Sequence, residues 1–94
     1  ITDEGLVELQ PLKGLTYLRL ADTAISDVGV RSLQSMQQLR TLVLDRTSVS
    51  DKAITALAGF SRLERLSVIS TSISTDEIAK LAKERPRLRI IHSN

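Results

Sequence analysis

Serine or threonine followed by aspartate recurs in this 94-residue chain at a 24-residue interval, as Thr2–Asp3, Ser26–Asp27 and Ser50–Asp51. Carboxylates in such a column could bind a cation between neighbouring units. They also suit the first turn of a helix, where an acid interacts favourably with the helix dipole and the preceding hydroxyl caps exposed N–H groups. The helix interpretation accounts for every occurrence. We therefore prefer it and predict no metal site.

Catalytic residues are scarce. The chain has one histidine, His92, and no cysteine, so neither a thiol nucleophile nor a cysteine-based metal site is available. We expect His92 to be a solvated side chain near a loosely held chain end. The glycines form no phosphate-binding loop after a strand. We predict that the chain is not an enzyme and needs no cofactor.

Threonines also recur every 24 residues, as Thr23, Thr47 and Thr71. A column of hydroxyls could be a set of phosphorylation sites. Hydroxyls at successive turns more often bond backbone groups of the turn and of the neighbouring unit. We therefore predict that these threonines form a structural ladder.

The charge distribution excludes some classes of partner. The net charge is only +2, and the basic segment from Lys80 to Arg89 contains Glu84. We expect a solvated end face there, because no aromatic residues lie among the basic ones to stack on bases. We predict no nucleic-acid partner and, since no apolar stretch has the length of a membrane span, no membrane partner. The absence of cysteine leaves the localisation open, with the cytoplasm slightly preferred.

Apolar residues follow the same period and predict the elements that position these side chains. At the start of each unit they are spaced by three, as in Leu6, Leu9 and Leu12, which indicates about two turns of helix with one buried stripe. Later they end in a step of two, as in Leu18 and Leu20, which indicates a strand. Strands are predicted near 17–20, 41–44, 65–68 and 89–92. Helices are predicted to begin near Asp3, Asp27, Asp51 and Thr75, and the first should end near Leu9 or Gln10, before Pro11.

The same columns recur in successive units. They are Leu6, Val30, Ile54 and Ile78; Leu9, Leu33, Leu57 and Leu81; Leu12, Met36 and Phe60; Leu15, Leu39 and Leu63; Leu18, Leu42 and Leu66; Leu20, Leu44 and Val68. In the last unit, Leu88 stands one residue late. Either one residue is inserted near Pro86, or Ile90 takes the strand column.

The pattern Leu-x-x-Leu-x-Leu-x-x-Thr resembles leucine-rich repeats, in a variant with threonine in place of asparagine or cysteine. The following Ile-Ser-Asp-x-Gly-Val is similar to the helix start of the cysteine-containing type found beside F-boxes and of related bacterial repeats. The resemblance implies an α/β solenoid of about four units, at 1–24, 25–48, 49–72 and 73–94. It would have a parallel sheet on its concave face and one short helix per unit on its convex face. We expect the C-terminal fragment of a longer repeat protein.

Outward-facing strand positions are the candidate binding surface, because they alternate with the buried leucines. Tyrosine and arginine are enriched in interface hot spots, and apolar residues there are unexpected on a solvated face. We predict partner contacts from Tyr17, Arg19, Arg40, Val43, Arg65 and Ile69.

The predicted function is binding of a protein, preferably an acidic segment, on the concave face. An alternative is that these units extend a solenoid structurally, or form a regulatory repeat domain attached to another domain. The strand of the first unit would have an open edge, so we also predict either a further unit before Ile1 or self-association through this edge.

Overall fold

The structure is a computed structural model that describes residues 2–92. Each of its four units begins with a helix and ends with a short strand. In chain order the elements are α1 (Asp3–Leu6, extended by a 3₁₀ turn at Val7–Leu9), β1 (Tyr17–Arg19), α2 (Asp27–Ser32, extended by a 3₁₀ turn at Leu33–Ser35), β2 (Thr41–Val43), α3 (Ile54–Ala58, preceded by a 3₁₀ turn at Asp51–Ala53), β3 (Arg65–Ser67), α4 (Thr75–Glu84) and β4 (Arg89–Ile91).

The four strands form one parallel sheet in the order β1-β2-β3-β4. Their register follows the 24-residue period, since Leu18 pairs with Leu42, Leu42 with Leu66, and Leu66 with Ile90. Parallel neighbours require a crossover connection, and here the helix of each unit provides it. The predicted α/β solenoid with a parallel sheet is confirmed.

The helices begin where the capping pattern predicts. The hydroxyls of Thr2, Ser26, Ser50 and Ser74 each accept a hydrogen bond from a backbone N–H of the following turn. The first helical segment ends at Leu9, ahead of Pro11, as expected. Short helices of this kind are marginal alone, so their stability depends on the apolar stripe that they bury against the sheet.

The core is mostly aliphatic and continuous between helices and sheet. Met36 and Phe60 are fully buried. Leu12 occupies the same column but is 50% exposed, so its placement in the core was wrong. The physical reason is the stacking itself. Met36 and Phe60 belong to units that have a neighbour on both sides, whereas the first unit has a neighbour on one side only among the described residues.

The last unit resolves the alternatives at Pro86. Ile90 takes the strand column, because it pairs with Leu66. The preceding turn is displaced by one residue: the Leu88 N–H donates to the Arg85 carbonyl, as the Leu63 N–H donates to the Phe60 carbonyl. Leu88 is consequently buried, although the 24-residue period places Arg87 in the column of Leu63.

Candidate functional site

Four of the six predicted contact residues lie together. Tyr17, Arg19, Val43 and Arg65 line a shallow groove of about 270 Å³ on the sheet face opposite the helices. The other lining residues are Thr41, Asp45, Ser67 and Ile91. We call this the concave groove. Alternation along the short strands explains it, because the residues on either side of buried Leu42 and Leu66 point away from the core.

Tyr17 is the most exposed large hydrophobic side chain of the concave groove, at 58%. Arg19 and Arg65 are exposed as well, and neither takes part in an ion pair within residues 2–92. The groove therefore offers an aromatic ring and two guanidinium groups that form no ion pair in this part of the chain, although the charge of Arg19 helps to lower the pKa of Asp22. Planar guanidinium groups bind carboxylates and phosphates through two parallel hydrogen bonds.

Asp45 is the acid of the groove, and its carboxylate is held by its neighbours. Its Oδ1 accepts hydrogen bonds from the Ser67 hydroxyl at 2.6 Å and from the Ile69 N–H at 2.8 Å. These contacts fix Asp45 across the exit of two strands. Oδ1 is thereby occupied by hydrogen-bond donors of the chain itself.

The two remaining predicted residues lie elsewhere. Arg40 lines a larger cleft beside the start of the strands, and its Nη1 lies 3.3 Å from Glu64 Oε2. Ile69 is half-buried beyond the end of β3, outside the groove-lining residues. Arg40 and Ile69 are thus not part of the concave groove, and their contact with a partner stays a prediction.

Two residues of the last unit were missed. Ile91 lines the concave groove, and Arg89 pairs in the sheet with Arg65. The signal was present, since both stand 24 residues after Ser67 and Arg65. It was not used because the register around Pro86 was left open.

An ion pair joins the strand exits. Arg46 binds both carboxylate oxygens of Asp22, with Nη2 at 2.9 Å from Oδ2. This hydrogen bonding, followed by the charge of Arg46, lowers the pKa of Asp22, and it raises the pKa of Arg46. Both groups are exposed, so the pair contributes little to the stability of the fold.

The two repeated polar columns contact backbone. Thr23, Thr47 and Thr71 donate through Oγ1 to the carbonyl oxygens of Leu20, Leu44 and Val68, at 2.6, 2.7 and 2.9 Å. Each of these bonds stays within its own unit. The aspartate column, by contrast, joins units: Asp27 accepts from both the N–H and the hydroxyl of Ser50, and Asp3 does the same with Ser26.

His92 and the acidic side chains are the candidates for metal binding or acid–base chemistry in this chain. No group of three or more His, Asp and Glu side chains within residues 2–92 is arranged to hold a metal ion. His92 is half-buried, with Nδ1 enclosed and lacking a hydrogen-bond partner in this part of the chain, so the expectation of a solvated side chain was wrong. It lines an apolar depression with Ile78, Leu88 and Ile90. None of the helices between residues 2 and 92 is both long and apolar enough to span a bilayer.

Comparison with known proteins identifies the fold. No family model and no curated protein matches the chain. Among solved structures it is similar to the leiomodin-1 actin-binding site 2, at 21% identity and a TM-score of 0.74, covering 100% of this chain and 65% of that one. It is also similar to an internalin from Listeria monocytogenes, at 20% identity and a TM-score of 0.59, covering 92% of this chain and 30% of that one. The chain thus spans less than two thirds of either protein. These likenesses confirm a leucine-rich-repeat fold.

Proposed function

We propose that this chain is a protein-binding repeat module that holds a partner segment in the concave groove. The observation on which the proposal depends is the grouping of exposed Tyr17 with Arg19 and Arg65, on rigid neighbouring strands. Rigid side-chain rows lower the entropy that binding costs, and tyrosine and arginine are the residue types that contribute most to interface energies. Neither similar structure is described as an enzyme, which supports a binding role indirectly.

An acidic protein segment is the partner that we favour. The two unpaired arginines of the groove outnumber its one carboxylate, Asp45, which is already occupied by hydrogen bonds. Attraction between exposed charges is screened within about 8 Å at physiological ionic strength, so the association should weaken as salt is added. Val43 and Ile91 provide the apolar surface against which such a segment would pack.

The similarity to leiomodin-1 supports a protein as the class of partner, without indicating which protein. That structure is described as an actin-binding site, so a chain of this fold serves protein recognition there. Which surface this chain uses, and for which protein, is the part that we propose. The threonine-containing repeat variant, related to the F-box-associated and bacterial types, is likewise a proposal that rests on the repeated motif alone.

Selection of peptides from a phage-displayed random library on the immobilised chain tests the proposal. We expect selected peptides to be rich in aspartate and glutamate and to lose most of their affinity when Tyr17→Ala is combined with Arg65→Glu. The control is Lys52→Glu, which changes one basic residue to glutamate at an exposed position on the helix side. Peptides that lose affinity in the control but bind the double variant normally would show that recognition uses the convex side.

A second candidate function is structural extension of a longer solenoid, or regulation of an attached domain. Half-exposed Leu12 favours it, because Met36 and Phe60 in the same column are fully buried in units that have a neighbour on both sides. A copy of the chain could also cover this surface by pairing with the edge of β1. Concentration-dependent light scattering would reveal such self-association, and a chain that stays monomeric at high concentration would contradict it.

A further inference from the structure

A cleft of about 610 Å³ lies on the strand-entry side of the third and fourth units. It is bounded by Arg40 and by two segments, 61–64 and 84–88, which precede β3 and β4. We call it the arginine cleft, because four of its ten lining residues are arginines: Arg40, Arg62, Arg85 and Arg87. Two glutamates also line it, so two positive charges remain in excess.

The displaced turn of the last unit brings these arginines together. Leu88 closes its turn as Leu63 does, so Arg87 occupies the position equivalent to Arg62 in the neighbouring unit. The plain 24-residue period places Pro86 there instead. Aligning the repeats by their 24-residue period therefore does not place Arg62 and Arg87 at equivalent positions, whereas the structure does.

Two further arginines, Arg65 and Arg89, directly follow the two segments that bound the cleft. Arg65 and Arg89 are direct partners in the parallel sheet, both exposed. Side chains of like charge directly opposite each other on adjacent strands are destabilising. No ion pair within residues 2–92 involves Arg62, Arg65, Arg87 or Arg89. Within the described residues, these four arginines therefore lack a carboxylate partner that would offset their mutual repulsion.

Arg85 holds the base of the cleft in place. Its Nη1 donates to the Ala58 carbonyl at 2.9 Å, and its Nη2 donates to the Ser61 carbonyl at 3.2 Å. These bonds fasten the end of α4 to the third unit and fix the backbone that presents Arg87. Because the acceptors are neutral carbonyls, they leave the charge of Arg85 uncompensated by any carboxylate.

We propose that the arginine cleft binds a phosphate monoester on a protein segment. The excess of two positive charges matches the charge of about −1.5 to −2 on a phosphorylated serine or threonine at neutral pH. Clustered arginines are the usual recognition device for such groups, since each guanidinium can bond two phosphate oxygens. The cleft lining contains no aromatic residue on which a nucleic-acid base could stack, which favours a phosphorylated protein over RNA.

The inference rests on the proposed function, because the concave groove supplies the rest of the binding surface. Cleft and groove adjoin: Arg40 of the cleft precedes Thr41 of the groove, and Glu64 precedes Arg65. A segment crossing the strands would thus place acidic residues in the groove and its phosphate in the cleft.

The test uses the isotope-labelled full chain and three short capped peptides that differ at one residue, Gly-Glu-phosphoserine-Glu-Gly and its serine and glutamate counterparts. Nuclear magnetic resonance titration gives the affinity and the residues affected. We expect the phosphopeptide to bind most tightly and to perturb Arg62, Arg65, Arg87 and Arg89. Arg62→Gln with Arg87→Gln should weaken this binding by about tenfold or more, the usual effect of losing hydrogen bonds to a charged group.

The matched control is Lys80→Gln with Lys83→Gln, which removes the same charge from exposed positions on α4. Circular dichroism should show both double variants folded. The inference would be overturned if the two double variants weakened binding equally, or if the arginine variant did not weaken it. It would also be overturned if the phosphorylated and glutamate peptides bound with equal affinity. Tighter binding of an oligouridine than of the phosphopeptide would overturn it as well. If the arginine cleft fails these tests but Tyr17→Ala still weakens the binding of library-selected peptides, the proposed function is retained. If Tyr17→Ala leaves their affinity unchanged, both the proposed function and this inference are contradicted.

Discussion

Asp27 accepts two hydrogen bonds from a single residue of the following unit, the N–H of Ser50 at 2.7 Å and its hydroxyl at 2.5 Å. The same hydroxyl caps the next helical turn by accepting from the Lys52 N–H. One serine therefore links the acid of one unit to the helix start of the next. From sequence, both residue types are explained by capping within one unit, so the contact between units could not be predicted.

Thr47 is the interior member of the threonine column and is 8% exposed. Its hydroxyl donates to the Leu44 carbonyl at 2.7 Å. We predict that Thr47→Val lowers the free energy of unfolding by about 1–3 kcal/mol, because a buried carbonyl loses its hydroxyl donor while the side-chain volume is kept. Urea denaturation measures the loss. Thr23→Val, at a half-buried position, should cost less, and an unchanged Thr47→Val chain would show that the column is not structural.

Gly29 leaves room for the aspartate contact of the first unit. A methyl group built on it would lie 2.3 Å from Asp3 Oδ1 and 2.8 Å from Leu6 Cδ1. We predict that Gly29→Ala destabilises the fold by about 1–3 kcal/mol, because the buried leucine and the bonded carboxylate must both move. The comparison is Gly14→Ala, where an added methyl group meets nothing within 4 Å and stability should change little. Equal midpoints of thermal unfolding for the two variants would refute this explanation.

At the scale of elements, repetition made the strands and the helix starts predictable. Columns such as Leu18, Leu42 and Leu66 are set by a local rule, alternation about a buried strand, that holds in every unit. The exposure of Leu12 depends instead on what lies beside the unit, which the column does not reveal. The repeat therefore predicted the register of the strands correctly, but it did not predict the exposure of Leu12 in the first unit.

The backbone conformation of the turns after the strands is a second feature that could not be predicted from the sequence. Asp22, Arg46 and Ser70 occupy one column and all adopt a left-handed backbone, with φ of 61°, 56° and 57°. Such a conformation usually selects glycine or asparagine. Asp22 is a residue type that tolerates this backbone, but Arg46 and Ser70 do not signal it, so the conformation of these turns could not be predicted from the sequence.

At the scale of the whole molecule, burial of equivalent leucines varies along the stack. Leu33, Leu39 and Leu42 of the second unit are fully buried, whereas Leu9, Leu15 and Leu18 of the first are only partly covered. In a repeat stack, stability is approximately a sum of unit terms and contacts between neighbours. A unit that contacts a neighbour on one side only should therefore open before the interior of the stack does.

Amide hydrogen exchange tests this gradient on two matched bonds. The Leu20 N–H donates to the Val43 carbonyl and the Leu44 N–H to the Ser67 carbonyl, each at 2.8 Å. In a dilute sample we predict that Leu20 exchanges at least about tenfold faster, a difference of about 1.4 kcal/mol in opening free energy. The bonds have equal length, so the difference would come from the packing around them. If both amides exchange at one common rate, equal to that of global unfolding, the four units open together. The lower burial of the first unit would then not lower its opening free energy, and the prediction would be wrong.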